Sequence, residues 1–193
     1  MKRFSPIIAI VLVCWAMFII NNLILGGSLT HYGIQPRHLG SLPGIIRSPF
    51  LHVSFAHLAA NTLPLLILGG IICARSKMEF LGVTAAGVFI GGGLIWLLAR
   101  NGSHVGASGL IFCYFGFLTS RAWFDRTFIT FCLSVICLVG YGGILIGLLP
   151  LSSGVSWEGH LAGLAAGIAS AGVITNKNRN AGIADFRGLK NTG

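Results

Sequence analysis

Residues 52–75 read HVSFAHLAANTLPLLILGGIICAR. From Phe55 to Ala74 the chain carries no Asp, Glu, Lys or Arg, and Arg75 closes the run. A helix crosses the hydrocarbon core of a bilayer, about 30 Å thick, in about 20 mainly apolar residues. The stretch therefore has the length and composition of a membrane span. Its polar residues, His52, His57 and Asn61, gather at the end away from Arg75. Polar groups at membrane depth are costly and mark functional candidates.

Similar apolar runs lie on both sides, at 7–25, 80–99, 106–120, 127–149 and 159–175. Together they predict an all-α polytopic membrane protein, a six-transmembrane-helix bundle occupying residues 1–176. The whole chain is 54% hydrophobic and 9% charged, against about 25% charged in a soluble domain. Water could not solvate such a surface. Lys2-Arg3 followed by Ile7–Ile20 has the look of a signal peptide, but no A-x-A-like site follows and the apolar run continues to Leu25. An uncleaved first span is expected.

The net charge of +9 invites a nucleic-acid reading, yet the 13 basic residues fall between apolar runs rather than in one patch. They read instead as topology signals. With the N-terminus inside, the inner segments hold Lys2, Arg3, Arg75, Lys77, Arg121, Arg126, Lys177, Arg179, Arg187 and Lys190, and the outer ones only Arg37, Arg47 and Arg100. The positive-inside rule then gives N-in and C-in. Residues 26–54, with Pro36, Pro43 and Pro49, form a long extracytoplasmic loop, and 177–193 a basic, loosely ordered cytoplasmic tail. Cys14, Cys73, Cys113, Cys132 and Cys137 all sit in apolar runs, odd in number and without a CxxC. They read as small buried hydrophobes, and neither a metal site, a disulfide nor a cofactor is implied.

Three polar clusters fall at the outer ends of their spans in this topology: His52 to Asn61, His104 to Gly109, and Trp157 to Gly163. Counting back from the first inner charge at about 1.5 Å per residue, Ser108 stands about 20 Å up, Asn61 about 21 Å, His160 about 26 Å and His57 about 27 Å. The clusters can meet. The fourth span is short because its helix begins part-way down, beside a cavity. Gly163 and Gly167 form a G-x-x-x-G on the face shared with His160, and Gly109 and Gly116 nearly share one face of the fourth span, so backbones can approach closely.

Only four acids exist, Glu79, Asp125, Glu158 and Asp185. No transmembrane pair is available for a two-carboxylate mechanism, and H-E-x-x-H is absent. Nucleophilic catalysis remains. Gly106-Ala107-Ser108-Gly109 is a G-x-S-G, a tight turn that presents a serine, and His160 is the candidate base. No third triad member is apparent. His57 and Asn61, four apart on one helix face, can donate hydrogen bonds to an oxyanion, with Gly106 in the turn and the Ser108 N–H nearby. Taken singly, each residue also suits a bland role: packing serine, interfacial histidine, helix-bridging asparagine. Their shared depth and complementary chemistry favour catalysis.

The residues now quoted resemble the rhomboid intramembrane serine proteases over about 7–175: H-x-x-x-x-H-x-x-x-N at His52, His57 and Asn61, G-x-S-G at Gly106 to Gly109, and G-H-x-x-G-x-x-x-G at Gly159 to Gly167. Paired Gly69-Gly70 also looks like the family. The resemblance implies a Ser108–His160 dyad, an oxyanion site from His57, Asn61 and backbone N–H groups, and a supporting His52. It implies transmembrane protein substrates weakened by small residues near the outer face, entry by the fifth helix, a first loop partly in the outer leaflet and a bacterial-type plasma membrane. Many members carry a Tyr one turn after the serine, stacked on the histidine; Phe112 stands there. The family's Trp-Arg loop motif is replaced by Gln35-Pro36-Arg37. Two other readings fit part of the pattern. A non-catalytic helix-binding relative would usually lack the Ser or His, and a transporter would need polar groups in the inner halves, which are almost wholly apolar.

Overall fold

The computed structural model describes residues 2–151 and 154–190, with side chains through Asn176. Among these residues six long helices follow one another: α1 (Ser5–Leu23), α2 (Phe55–Arg75), α3 (Lys77–Leu98), α4 (Ser108–Asp125), α5 (Phe128–Leu148) and α6 (Trp157–Lys190). Among the described residues there is no strand, only one isolated bridge between Ile34 and His104. Four of the helices, α1, α2, α3 and α5, are long and apolar enough to cross a membrane. Their outward faces carry exposed Leu12, Leu63, Phe89, Leu98, Phe128 and Val139. Such surface is stable only in a non-aqueous solvent, so the protein is an integral membrane protein.

The middle of the bundle is α4. Ten of its 18 residues are buried, Leu110 to Leu118 and Arg121. It faces protein on nearly every side, which removes the need for uniformly apolar composition. α6 packs along its length, and α2, α3 and α5 flank it. The α4–α6 seam is built without side chains. A Cβ at Gly163 would run into the Gly109 carbonyl, and one at Gly167 into the Cys113 carbonyl. Gly116 lies against the Leu164 carbonyl from the opposite helix. The spacing of these glycines lets the two backbones touch.

The helix limits differ from the sequence expectation where local chemistry intervenes. α3 starts three residues early, because Ser76 caps it by accepting the Glu79 N–H at 3.3 Å. Its glycine-rich middle, Gly87–Gly91, is a wider π turn. Gly87 there faces Leu110 and Cys113, and Gly91 faces Ala162 and Gly163. The run is thus a packing device against α4 and α6. α5 tightens into a 3₁₀ segment over Gly142–Leu148. α6 continues as helix to Lys190, where an irregular tail from 177 was expected; the side chains of 177–190 lie outside the described residues.

Charge closes the end of the bundle opposite Ser108. Arg121 is buried and meets Glu79 at 2.8 and 3.0 Å and Asp125 at 2.5 Å. Arg75 approaches both acids, at 3.6 and 3.5 Å, and Thr175 donates to Asp125 at 2.7 Å. The ends of α2 and α4, the start of α3 and the body of α6 are joined by two cations and two anions. At the other end, Arg37 ties the first loop down. Its guanidinium donates to the Ala99 carbonyl at 2.8 Å and to Asn101 at 2.7 Å, and its N–H to the Trp96 carbonyl at 2.9 Å. The orphan carbonyls at the end of α3 thereby fasten the first loop.

Candidate active site

α4 begins at Ser108, and no side chain caps it. The first N–H groups of a helix have no partner within it and carry its positive dipole end. They are left pointing out of the turn that precedes Ser108. That turn needs Gly106, whose φ of 120° is closed to side chains. Its N–H donates to the Ser48 carbonyl at 2.9 Å, which ties the turn to the first loop. A Cβ there would also strike the His57 ring, 2.6 Å from Cε1. Glycine is required twice over, by conformation and by the imidazole stacked against it.

Ser108 Oγ lies 3.0 Å from His160 Nε2. The other ring nitrogen, Nδ1, lies 2.8 Å from the Gly147 carbonyl oxygen. A carbonyl can only accept, so Nδ1 carries the hydrogen and a neutral ring offers Nε2 as acceptor to the serine hydroxyl. The availability of Gly147 is itself dictated by sequence. In the 3₁₀ segment its carbonyl would bond the N–H three residues on, but that residue is Pro150, which has none. The next N–H, of Leu151, turns back to the Leu149 carbonyl. The Gly147 oxygen is left for the histidine. Phe112 stacks on one face of the ring, centroids 4.3 Å apart and planes 9° from parallel. His160 is thus held at one nitrogen and across one face.

A cavity of ≈ 490 Å³ opens beside the pair, lined by His57, Asn61, His104, Ser108, Ser156 and His160 among others. Asn61 Nδ2 and His57 Nδ1 are buried without a hydrogen-bond partner. Buried polar atoms are nearly always paired, so two unpaired groups beside a serine hydroxyl suit a site that completes its bonding with a ligand. His52 packs behind, its ring 5.1 Å from that of His57, and its Nε2 stands a long 3.4 Å from the Ala107 N–H. It supports the turn and does not line the cavity.

The sequence-predicted residues accordingly converge. Ser108, His160, His57 and Asn61 share one cavity; Gly106, Phe112 and His52 form its turn, its ring support and its backing; Gly109, Gly163 and Gly167 let α4 and α6 meet. Sequence reasoning missed the Gly147 carbonyl, since a backbone atom leaves no residue-type signature, although Pro150 was a legible hint. It also passed over Ser156. Among the described residues no cluster of His, Cys, Asp or Glu is placed to hold a metal ion.

Comparison with known proteins agrees with this architecture. A model of the Rhomboid domain matches residues 39–177. The uncharacterized proteins Rv1337 of Mycobacterium tuberculosis and Mb1372 of Mycobacterium bovis are each 38% identical over 177 residues, covering 87% of this chain and 72% of their own length. ML1171 of Mycobacterium leprae is 37% identical over 175 residues, covering 86% of this chain and 67% of its own. The apolar helices, the serine at the start of a buried helix and the match over most of the chain lead to one conclusion: this protein belongs to the rhomboid family of intramembrane serine proteases.

Proposed function

We propose that the protein is a six-span, N-in serine endopeptidase of a bacterial plasma membrane that cuts transmembrane segments of other membrane proteins near the extracytoplasmic face. Ser108 is the nucleophile and His160 the base. The observation that carries the reading is the 3.0 Å contact of Ser108 Oγ with a ring nitrogen whose proton state is set by the Gly147 carbonyl on the far side.

In the first step Ser108 Oγ attacks the scissile carbonyl carbon and its proton passes to His160 Nε2. The imidazolium then donates from both nitrogens, to the leaving amine and to the Gly147 oxygen. The tetrahedral oxyanion takes hydrogen bonds from Asn61 Nδ2, the His57 ring and the free N–H groups at the start of α4. The C–N bond breaks as Nε2 returns the proton to the amine. Water then attacks the acyl-enzyme with His160 again as base, and Ser108 regains its proton as the acid leaves. The cavity supplies the water that a hydrocarbon environment lacks.

A fluorophosphonate probe tests the reading on the purified protein in detergent. The wild type should label, and Ser108→Ala and His160→Ala should not. Full-rate labelling or peptide cleavage by folded Ser108→Ala would sink the assignment.

A further inference from the structure

His104 and Ser156 line the cavity, and the mechanism gives neither of them a task. Ser108 follows His104 by four residues, and His160 follows Ser156 by four. The His104 Nδ1 to Ser156 Oγ contact, at 2.6 Å, therefore repeats the dyad contact four residues earlier in both segments. We propose that His104 and Ser156 form a positioning pair that sets the register between the Ser108 turn and the His160 helix, and so the approach of nucleophile to base. This inference rests on the dyad reading above.

The bonding of the pair has a direction. His104 Nε2 lies 2.9 Å from the Arg100 carbonyl, which only accepts, so Nε2 carries the ring hydrogen. A neutral ring then presents Nδ1 as acceptor, and the Ser156 hydroxyl donates to it. Ser156 Oγ in turn accepts the Gly159 N–H at 3.2 Å, within the first turn of α6. One chain of bonds thus runs from the Arg100 carbonyl through His104 and Ser156 to the helix that carries His160. His104 is itself immobilised. It is 7% exposed, and its backbone exchanges two bonds with Ile34, at 2.8 and 3.0 Å. A second tie joins the same two segments farther out: Arg100 stands 3.5 Å from Glu158 and its guanidinium donates to the Val155 carbonyl. That outer tie keeps the segments together when the inner one is cut. The loss to be measured is then one of alignment rather than of folding.

The two ring nitrogens can be removed separately. His104→Asn keeps an acceptor on the atom that bears Nδ1 and discards Nε2. His104→Gln keeps a polar group near Nε2 and discards the acceptor facing Ser156. Ser156→Gly removes the hydroxyl while leaving a residue that starts helices nearly as well as serine. The experiment is the saturation kinetics of fluorophosphonate labelling of the whole protein in detergent, split into the maximal rate and the half-saturating concentration.

A 1 Å misalignment costs up to about 10²-fold, so His104→Gln and Ser156→Gly should lose about tenfold or more in maximal rate, with half-saturation within about twofold. His104→Asn should stay within about threefold of wild type, since alignment of the dyad is what sets the maximal rate. Combining His104→Gln with Ser156→Gly should cost no more than either alone. Equal rates for His104→Asn and His104→Gln would overturn the proposal, as would a loss confined to half-saturation, which would make His104 a lining residue only. A wild type that fails to label beside a control serine hydrolase removes the dyad reading itself, a result seen before any variant is made.

Discussion

Gly163→Ala puts one carbon into one of the two tightest contacts of the α4–α6 seam. The new Cβ would meet the carbonyl of Gly109, the residue after Ser108, well inside contact distance, and the other atom is backbone, with no rotamer to swing away. A Cβ contact below 3.0 Å is essentially never tolerated, so the crossing of α4 and α6 must open by about 1 Å, a misplacement worth about 10²-fold in rate. Ser108 Oγ and His160 Nε2, now 3.0 Å apart on those same helices, would part to about 4 Å, beyond the reach of a hydrogen bond. Overpacking a filled site adds a stability loss of about 1–3 kcal/mol. Fluorophosphonate labelling kinetics and thermal unfolding in detergent read the two effects separately. Gly70→Ala is the control: nothing lies within 4 Å of its Cβ, so it should label as wild type and be neutral or more stable by about 0.5–1 kcal/mol. Wild-type labelling by Gly163→Ala would refute the claim that this glycine seam sets the dyad.

Four further outcomes follow from the site and the charge cluster. Asn61→Ala should lower the maximal rate of peptide cleavage about 10²–10³-fold, as removal of one oxyanion donor does, with KM little changed; a KM-only effect would count against that role. Phe112→Leu keeps the volume but loses the stack on His160, so labelling should slow by about 2- to 10-fold, the equivalent of about 0.5–1.5 kcal/mol, and an unchanged rate would show that the stack is idle. Arg121→Ala leaves Glu79 and Asp125 with the longer contacts to Arg75 and should destabilise the fold by about 1–3 kcal/mol, seen as a lower Tm in detergent; an unchanged Tm would mean the cluster is not a clamp. Arg37→Ala removes the guanidinium bonds to the end of α3 but keeps the backbone bonds of residues 34 and 37, so an added soluble protease should cut residues 33–38 faster than in the wild type; equal rates would mean the guanidinium adds nothing to the backbone ties.

What the sequence disclosed depended on which atoms carried the information. Spans were readable because solvation by lipid demands a run of apolar side chains, and runs are visible. Ser108, His160, His57 and Asn61 could be singled out because polar side chains at one depth are rare and the roles proposed for them complement one another. Gly163 and Gly167 were readable as small residues at helical spacing, though their partners, the Gly109 and Cys113 carbonyls, were not. The clamp around Arg121 was hidden for a different reason. Arg75 and Arg121 served as markers of sidedness; the i,i+4 spacing of Arg121 and Asp125 was legible, but nothing in the sequence says that Glu79 and Arg75 reach that pair from other helices. The start of α3 was misjudged because the apolar run begins at Phe80, whereas the helix obeys its Ser76 cap.

The Gly147 carbonyl has a consequence for genetics. A residue whose contribution is its peptide oxygen has no side chain to delete, so an alanine scan across the protein would return the proposed nucleophile, base and oxyanion side chains and never the acceptor behind the histidine. Gly147→Ala would indeed inactivate, since its Cβ would stand 2.9 Å from His160 Nδ1, but it would be scored as a demand for smallness. The oxygen's own share can be reached only by editing the backbone. An ester in place of the 147–148 amide weakens that acceptor while every side chain stays as it was.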